Sequence, residues 1–286
     1  MTLEDHVVLE ATVGDAPRRR LNLCCLGCED NPPYGPTHHT ATMILNILKQ
    51  TAEYYEKSIS IHITVFRVQQ MDYPPSFRDF DGVLLPGSFS SAYDEDEWIL
   101  KLKSVIVEEL WPRGIPTWAI CFGHQVLAHA LPGGLCTKTP AGPQAGCCVM
   151  ESTPDQPLSS SKRISLLYTH GDMVKQLPDM ACSLGGNSKV PIQSAVYCKS
   201  DVTTGEVKPV FVTFQAHPEY ASEGPEQPTL KNIMEAMQKR KEITVVQAKE
   251  ALSEVQEHWD DVYMHSLDVV KKSCDLLGWF DNIGDQ

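Results

Sequence analysis

Residues 115–134 read IPTWAICFGHQVLAHALPGG. An apolar run with strand character passes through a single cysteine directly into a helical pattern. A strand that feeds a helix without a hairpin turn leaves the sheet at its end and packs back across its face. The same alternation is written upstream. Leu21–Leu26 is a short apolar run, and Ala41–Tyr55 carries helical spacing in Ile44, Leu45, Ile47, Leu48 and Ala52. Ser60–Val68 and Asp81–Leu85 have strand character, Glu95–Leu110 is helical, and Pro116–Ile120 leads into a helix over Phe122–Ala130. The chain is therefore expected to form an α/β sheet covered by helices.

The second half is less regular. Thr139–Met150 is interrupted by glycine and proline and suits a strand or a loop, and Ser152–Lys162 suits an exposed turn. Ile164–Tyr168, Pro191–Tyr197 and Val210–Gln215 are β-like, the last two joined by a linker containing Asp201–Lys208 with a Thr-Gly turn. Thr229–Gln238 opens a helix, and Ile243–Phe280 keeps helical spacing in Val246, Leu252, Val255, Trp259, Val262 and Tyr263. Residues 1–20 form a polar arm or an extra edge element, 21–240 the main domain, and 241–286 a helical extension that packs on the domain, acts as a lid or binds a partner.

A net charge of −13 argues against a general nucleic-acid surface. No apolar run reaches 18 residues and residues 1–20 are polar, so neither a membrane span nor a secretory segment is expected. The ten cysteines are read as reduced thiols in a cytoplasmic protein, because 286 residues can bury a core without staples. Cys24, Cys25 and Cys28 have the look of half a metal knuckle, but no second half follows, and Cys147-Cys148 are adjacent. Buried or incidental thiols are expected there, with no metal and no redox cofactor.

Cys121 differs from the other nine by its place. A nucleophile on a strand-to-helix turn projects away from the sheet, needs small neighbours such as Ala119 and Gly123, and meets the positive end of the following helix. The Phe122 amide and an amide of the loop after Leu85, at Gly87 or Ser88, would hold an oxyanion. His217 ends a β-like run, with Glu219 two places on, and could handle the proton of a thiol while the carboxylate orients its ring. Each segment alone also has a plain structural reading: a buried cysteine, a loop-capping histidine, a strand-ending turn.

Taken together, LLPGSFSSAYD at 84–94, AICFGHQVLAHALPGG at 119–134, THGDMV at 169–174 and QAHPEY at 215–220 resemble, in order, the motifs of class I glutamine amidotransferases. The resemblance runs over residues 21 to 240 and is to stand-alone members similar to the amidotransferase part of GMP synthase and to γ-glutamyl peptidases. It implies a flavodoxin-like three-layer α/β/α sandwich around a mixed, mostly parallel sheet. It implies Cys121 as nucleophile, His217 as base and acid, and Glu219 as orienting carboxylate. Gly87 and Phe122 would supply oxyanion-hole amides. Ser88, Gln125 and the His170–Gly171–Asp172 loop would line the pocket for a small γ-glutamyl substrate. Three functions are compatible with it: γ-glutamyl hydrolysis or transfer through a thioester, a glutaminase subunit serving a separate synthase or acceptor enzyme, and an inactive interaction protein. The sequence departs from the family at Ala119, where glycine is usual, in the loop 31–38, and in the length of its tail.

Overall fold

A computed structural model describes residues 6–17, 19–153, 158–200 and 204–280. The remaining parts of the arm, of the 152–162 and 201–208 connections and of the tail lie outside the described residues.

In chain order the elements are β1 (Val7–Val13), β2 (Arg19–Gly27), α1 (Thr37–Tyr54), β3 (Ile59–Arg67), β4 (Gly82–Leu85) and α2 (Glu97–Val105). Helix α2 runs through a wide π turn at Ile106–Leu110 into the short α3 (Trp111–Arg113). There follow β5 (Thr117–Ile120), α4 (Phe122–Ala130), β6 (Leu135–Lys138), β7 (Gln144–Ser152), β8 (Arg163–His170), β9 (Asp172–Gln176), β10 (Ala181–Gly186), β11 (Ser194–Ser200) and β12 (Val207–Phe214). Three helices close the described chain: α5 (Pro228–Lys239), α6 (Val245–Glu257) and α7 (Trp259–Leu276).

Ten strands form one mixed sheet in the order β1-β3-β2-β4-β5-β12-β11-β10-β7-β8, and β6 pairs with β9 apart from it. The five central strands, β3-β2-β4-β5-β12, are parallel. Both flanks are antiparallel, β1 on one side and β11, β10, β7 and β8 on the other. The expectation of a mostly parallel sheet thus describes the centre and not the flanks. Strands β2, β4 and β5 are each followed by a helix that carries the chain back across the sheet. On the far flank β7–β8, β10–β11 and β11–β12 are consecutive strands whose connections return the chain antiparallel.

Strand β2 shows why the centre is buried on both sides. Leu21, Leu23 and Cys25 join a core with Ile44 and Leu48 of α1 and Leu267 and Val270 of α7. Cys24 and Leu26 alternate with them and join Ile99 and Leu102 of α2 and Val126 and Leu127 of α4 on the other face. The period of two sends adjacent side chains through opposite faces. That alternation places Cys25 in one buried layer and Cys24, with Cys28, in the other. Helices on both faces of the sheet give the three-layer α/β architecture.

A third cluster joins Tyr34 and Tyr220 with Leu230, Ile233, Met234 and Met237 of α5, Ala248, Ala251 and Val255 of α6, and Val262 of α7. The buried face of α6 is therefore made by alanines and Val255. Val246, read above as part of the apolar stripe, stands exposed in the first turn. Leu158, within the stretch read as an exposed turn, is buried in the α1/α7 core.

Candidate functional site

The parallel strands β2, β4, β5 and β12 all end toward the same edge. Glu29 follows β2, Gly87 and Ser88 follow β4, Cys121 follows β5, and Gln215 and His217 follow β12. In open α/β sheets ligands bind outside these carboxyl ends.

Cys121 stands at the junction with φ 52° and ψ −107°, a backbone region that a non-glycine residue enters only under constraint. Its N–H donates to the Phe214 carbonyl at 2.7 Å, and its carbonyl accepts from the Gln125 N–H at 3.0 Å, which begins α4. The chain is thereby held from both sides at the start of α4. Gly123 makes this approach feasible. A Cβ there would lie 2.2 Å from the Leu85 carbonyl oxygen, so only glycine lets α4 cross β4 this closely. Ala119, in register with Leu85 and Thr213, packs its methyl fully buried in the α2/α4 core.

The His217 N–H donates to the Leu167 carbonyl at 2.8 Å. The ring Nδ1 lies 2.7 Å from Glu219 Oε1 with both side chains out of solvent. Tyr220 stacks on the imidazole at 4.2 Å between centroids and 9° between planes. Burial by itself would push the imidazole down; the Glu219 carboxylate and the neighbouring Cys121 sulfur outweigh it and hold His217 up at about 10. With Nδ1 taken by Glu219, the ring edge nearest Cys121 is the Nε2 edge. A Cβ on Gly87 would sit 3.0 Å from His217 Cε1 and 3.5 Å from Cys121 Cβ, which places that glycine against both side chains.

A chain of amides runs from the sulfur into the neighbouring wall. Gln215 Nε2 donates to Cys121 Sγ at 3.6 Å, Gln125 Nε2 donates to Gln215 Oε1 at 3.0 Å, and Gln125 Nε2 also reaches the Asp172 carbonyl at 3.0 Å. His170 Nδ1 donates to the same carbonyl at 2.8 Å, and burial pushes this imidazole down to about 4, so it is neutral. The Asp172 carboxylate accepts from the Ser91 hydroxyl at 2.5 Å and the Tyr93 hydroxyl at 3.0 Å.

One cavity of about 370 Å³ opens here, lined by Cys121, Ser88, Gln125, His170, Gly171 and Asp172 among others. That volume lies in the range of small-molecule sites. Of the residues singled out from the sequence, Ser88, Cys121, Gln125, His170, Gly171 and Asp172 line this cavity, while Gly87, Phe122, His217 and Glu219 are not among its lining residues. The Ser88 side chain is also engaged: its hydroxyl donates to Glu29 Oε2 at 3.1 Å.

The structure adds residues that sequence reasoning did not reach. Glu29, buried at the end of β2, also accepts the Phe89 N–H at 2.8 Å and so fixes the loop after β4. Tyr34 comes from the loop 31–38, is buried, and packs edge-on against Phe89 at 4.9 Å. Its hydroxyl lies 3.6 Å from the Cβ position of Gly87. Lys138 and Arg240 bring two cations to the cavity wall. A strand-end acid after β2 was the only available signal for Glu29; none marked Arg240.

Comparison with known proteins identifies the family. A Saccharomyces cerevisiae protein, provisionally named a glutamine amidotransferase, is 28% identical over 212 residues, covering 71% of this chain and 80% of that protein. Gamma-glutamyl peptidase 2 of Arabidopsis thaliana is 27% identical over 166 residues, 56% of this chain and 62% of the peptidase. The crystal structure of a glutamine amidotransferase from Thermotoga maritima shares the fold with a TM-score of 0.63 at 19% identity, covering 90% of this chain and 98% of that one. Residues 44–237, more than half of the sequence, match the family described as glutamine amidotransferase class-I, and the chain belongs to that family.

Proposed function

We propose that the chain hydrolyses or transfers the γ-glutamyl group of a small γ-glutamyl compound, with Cys121 as nucleophile. The observation that carries this reading is the buried His217–Glu219 pair, 2.7 Å apart, set beside a cysteine at a strained strand-to-helix junction that opens on a cavity.

In this mechanism the Cys121 sulfur attacks the γ-carbonyl carbon, and the carbonyl electron pair moves to oxygen. The Gly87 and Phe122 amides receive that oxyanion. As it collapses, the carbon–nitrogen bond breaks and the His217 imidazolium gives its proton to the departing nitrogen. A γ-glutamyl thioester remains on Cys121. His217, now neutral, takes a proton from water or from an amine acceptor as it attacks the thioester, and the thiol is restored. Glu219 keeps Nδ1 protonated so that Nε2 faces the reaction. Gln125 and the His170–Asp172 turn line the part of the cavity assigned to the glutamyl group. Resemblance to a gamma-glutamyl peptidase supports a donor larger than glutamine. Ten free thiols suit a reducing compartment such as the cytoplasm.

The test is release of glutamate and amine from glutamine and from a set of γ-glutamyl dipeptides, by the wild-type chain and by Cys121→Ala. Cleavage that vanishes in the variant, with a mass increment of one γ-glutamyl group trapped on Cys121, is expected. Glutamine cleavage appearing only when a second protein is added would instead mark a glutaminase subunit feeding ammonia to a separate synthase. Silence toward every donor would leave an interaction protein.

A further inference from the structure

The cavity lined by Cys121 carries two cations from different elements. Strands β6 and β9 pair Lys138 with Asp172, so a cation and an anion share one stretch of its wall. The far end of a glutamyl group carries one carboxylate and one ammonium, and this pair offers a counter-charge for each. Arg240 follows α5 and lays its guanidinium over the Phe89 ring, 4.0 Å from the centroid. Glutamine makes no demand on a second cation, because its leaving group is ammonia. A donor with a carboxylate-bearing substituent on the γ-amide nitrogen does.

We propose that Arg240, stacked on Phe89 at the rim of the Cys121 cavity, binds a carboxylate on the leaving-group side of a γ-glutamyl amine. The favoured donors are then γ-glutamyl amino acids or short γ-glutamyl peptides with a free C-terminal carboxylate. This assignment rests on the γ-glutamyl reading above and names its substrate class.

Three features of Arg240 suit the task. Stacking on an aromatic face holds the planar fork without consuming its N–H donors. Its acidic neighbour, Glu242, stands 3.9 Å from Nη1, too far for a hydrogen bond, so the fork is not spent on it. Phe89 follows Ser88 on the loop that Glu29 anchors beside Gly87, so the platform under the guanidinium is tied to the same loop that borders Cys121. A carboxylate in this position accepts two parallel N–H bonds, the geometry for which arginine is better suited than lysine.

A carboxylate could also come from the glutamyl group itself, and the experiment separates the two. Initial rates are measured with glutamine, γ-glutamylalanine and γ-glutamylalanine amide, which differ only on the leaving side. A charge-assisted pair at a partly exposed rim predicts roughly a tenfold higher kcat/KM for the free acid than for the amide. Arg240→Met should erase that preference while leaving glutamine and amide cleavage within about twofold of wild type, and Arg240→Lys should retain part of it. An equal fall for all three donors would assign Arg240 to the glutamyl carboxylate and overturn the proposal, as would a wild-type chain indifferent to acid and amide. Calorimetric binding of the two dipeptides to Cys121→Ala, with and without Arg240→Met, reads recognition apart from turnover. Tighter binding of the acid, lost with Arg240, but no cleavage by wild type would sink the catalytic reading and keep this one. Cleavage without acid preference would do the reverse, and neither binding nor cleavage would remove both.

Discussion

Glu29 and Phe89 are 60 residues apart, yet the Glu29 carboxylate accepts the Phe89 N–H at 2.8 Å from inside the protein. The same oxygen takes the Ser88 hydroxyl, and its partner oxygen takes the Asp30 N–H at 3.1 Å. A buried carboxylate so employed fixes the backbone that carries Gly87, without itself reaching the cavity wall. Glu29→Gln keeps the size but replaces one acceptor by a donor facing an N–H. The expected result is a fall in kcat of about tenfold or more with KM little changed, because charge-assisted bonds of this kind are worth roughly 1.5–3 kcal/mol. Glu29→Asp, which keeps the charge, should recover part of kcat. A rise in KM alone would show that Glu29 touches substrate instead.

The pH behaviour follows from the environment of His217. Burial opposes its charge, while Glu219 and Cys121 favour it strongly enough to lift the imidazole to about 10. The unfolded value is about 6.5. A group raised on folding contributes stability fully below the unfolded value, and that contribution disappears as pH climbs through the folded one. The His217 contribution is therefore present at pH 6, shrinks from pH 7 upward, and is gone beyond pH 10. Glu219→Gln removes the first anion and leaves burial, so the imidazole should titrate lower. Nitrogen-15 NMR of the labelled histidines checks both statements. A His217 signal that is neutral at pH 7 in the wild-type chain would contradict them.

Much of this site was legible because its chemistry is local in the chain. The run from Trp118 to Gln125 combines a strand, a junction and a helix start, and His217 and Glu219 lie two residues apart after a strand. Central strands β2, β4 and β5 were legible for a related reason, since each is an apolar run followed by helical spacing. What stayed hidden depends on long-range pairing. Strands β6, β9 and β10 are short and rest on partners that no local pattern names. Glu29 looks like a polar residue after a strand until the loop at 88–89 arrives beside it. Arg240 looks like an ordinary basic residue at a helix end until Phe89, over 150 positions earlier, comes under it. Val246 failed as a core position because the helical face of α6 is set by contact with β7, where Ala251 meets Gly146 at close range.

Three glycines offer a graded test of close packing. At Gly123 a methyl would meet the Leu85 carbonyl oxygen at 2.2 Å, a backbone atom that cannot swing away. Gly123→Ala should cost about 3 kcal/mol or more, or fail to fold, because overpacking against backbone forces the helix off the strand. At Gly87 the nearest atom is His217 Cε1 at 3.0 Å, so the histidine must shift by a few tenths of an ångström. Gly87→Ala should fold well yet lose about a hundredfold in kcat, the usual scale for small misplacement of reacting groups. At Gly171 nothing lies within 4 Å, and Gly171→Ala should leave the melting temperature nearly unchanged. Equal stability losses for all three would refute the packing account.

The segment after α7 offers the last test, of whether the tail is a cover or part of the core. Trp279 is fully buried, its backbone N–H donates to the Cys274 carbonyl at 2.7 Å, and its ring lies where a Cβ on Gly82 would come within 2.5 Å. Gly82 opens β4, the strand that leads to Gly87. Phe280 and Leu277 join the same core as Leu23 of β2 and Ile44 of α1. A detachable lid would bury its own side chains against the surface; here the indole fills a gap in the central sheet. Trp279→Ala should therefore lower stability by about 3–5 kcal/mol, the range for emptying a large aromatic site. Urea unfolding should remain one cooperative step with its midpoint shifted down. A variant that loses less than about 1 kcal/mol, or that unfolds in two steps with the first confined to the tail, would show the helical extension to be separable from the sheet.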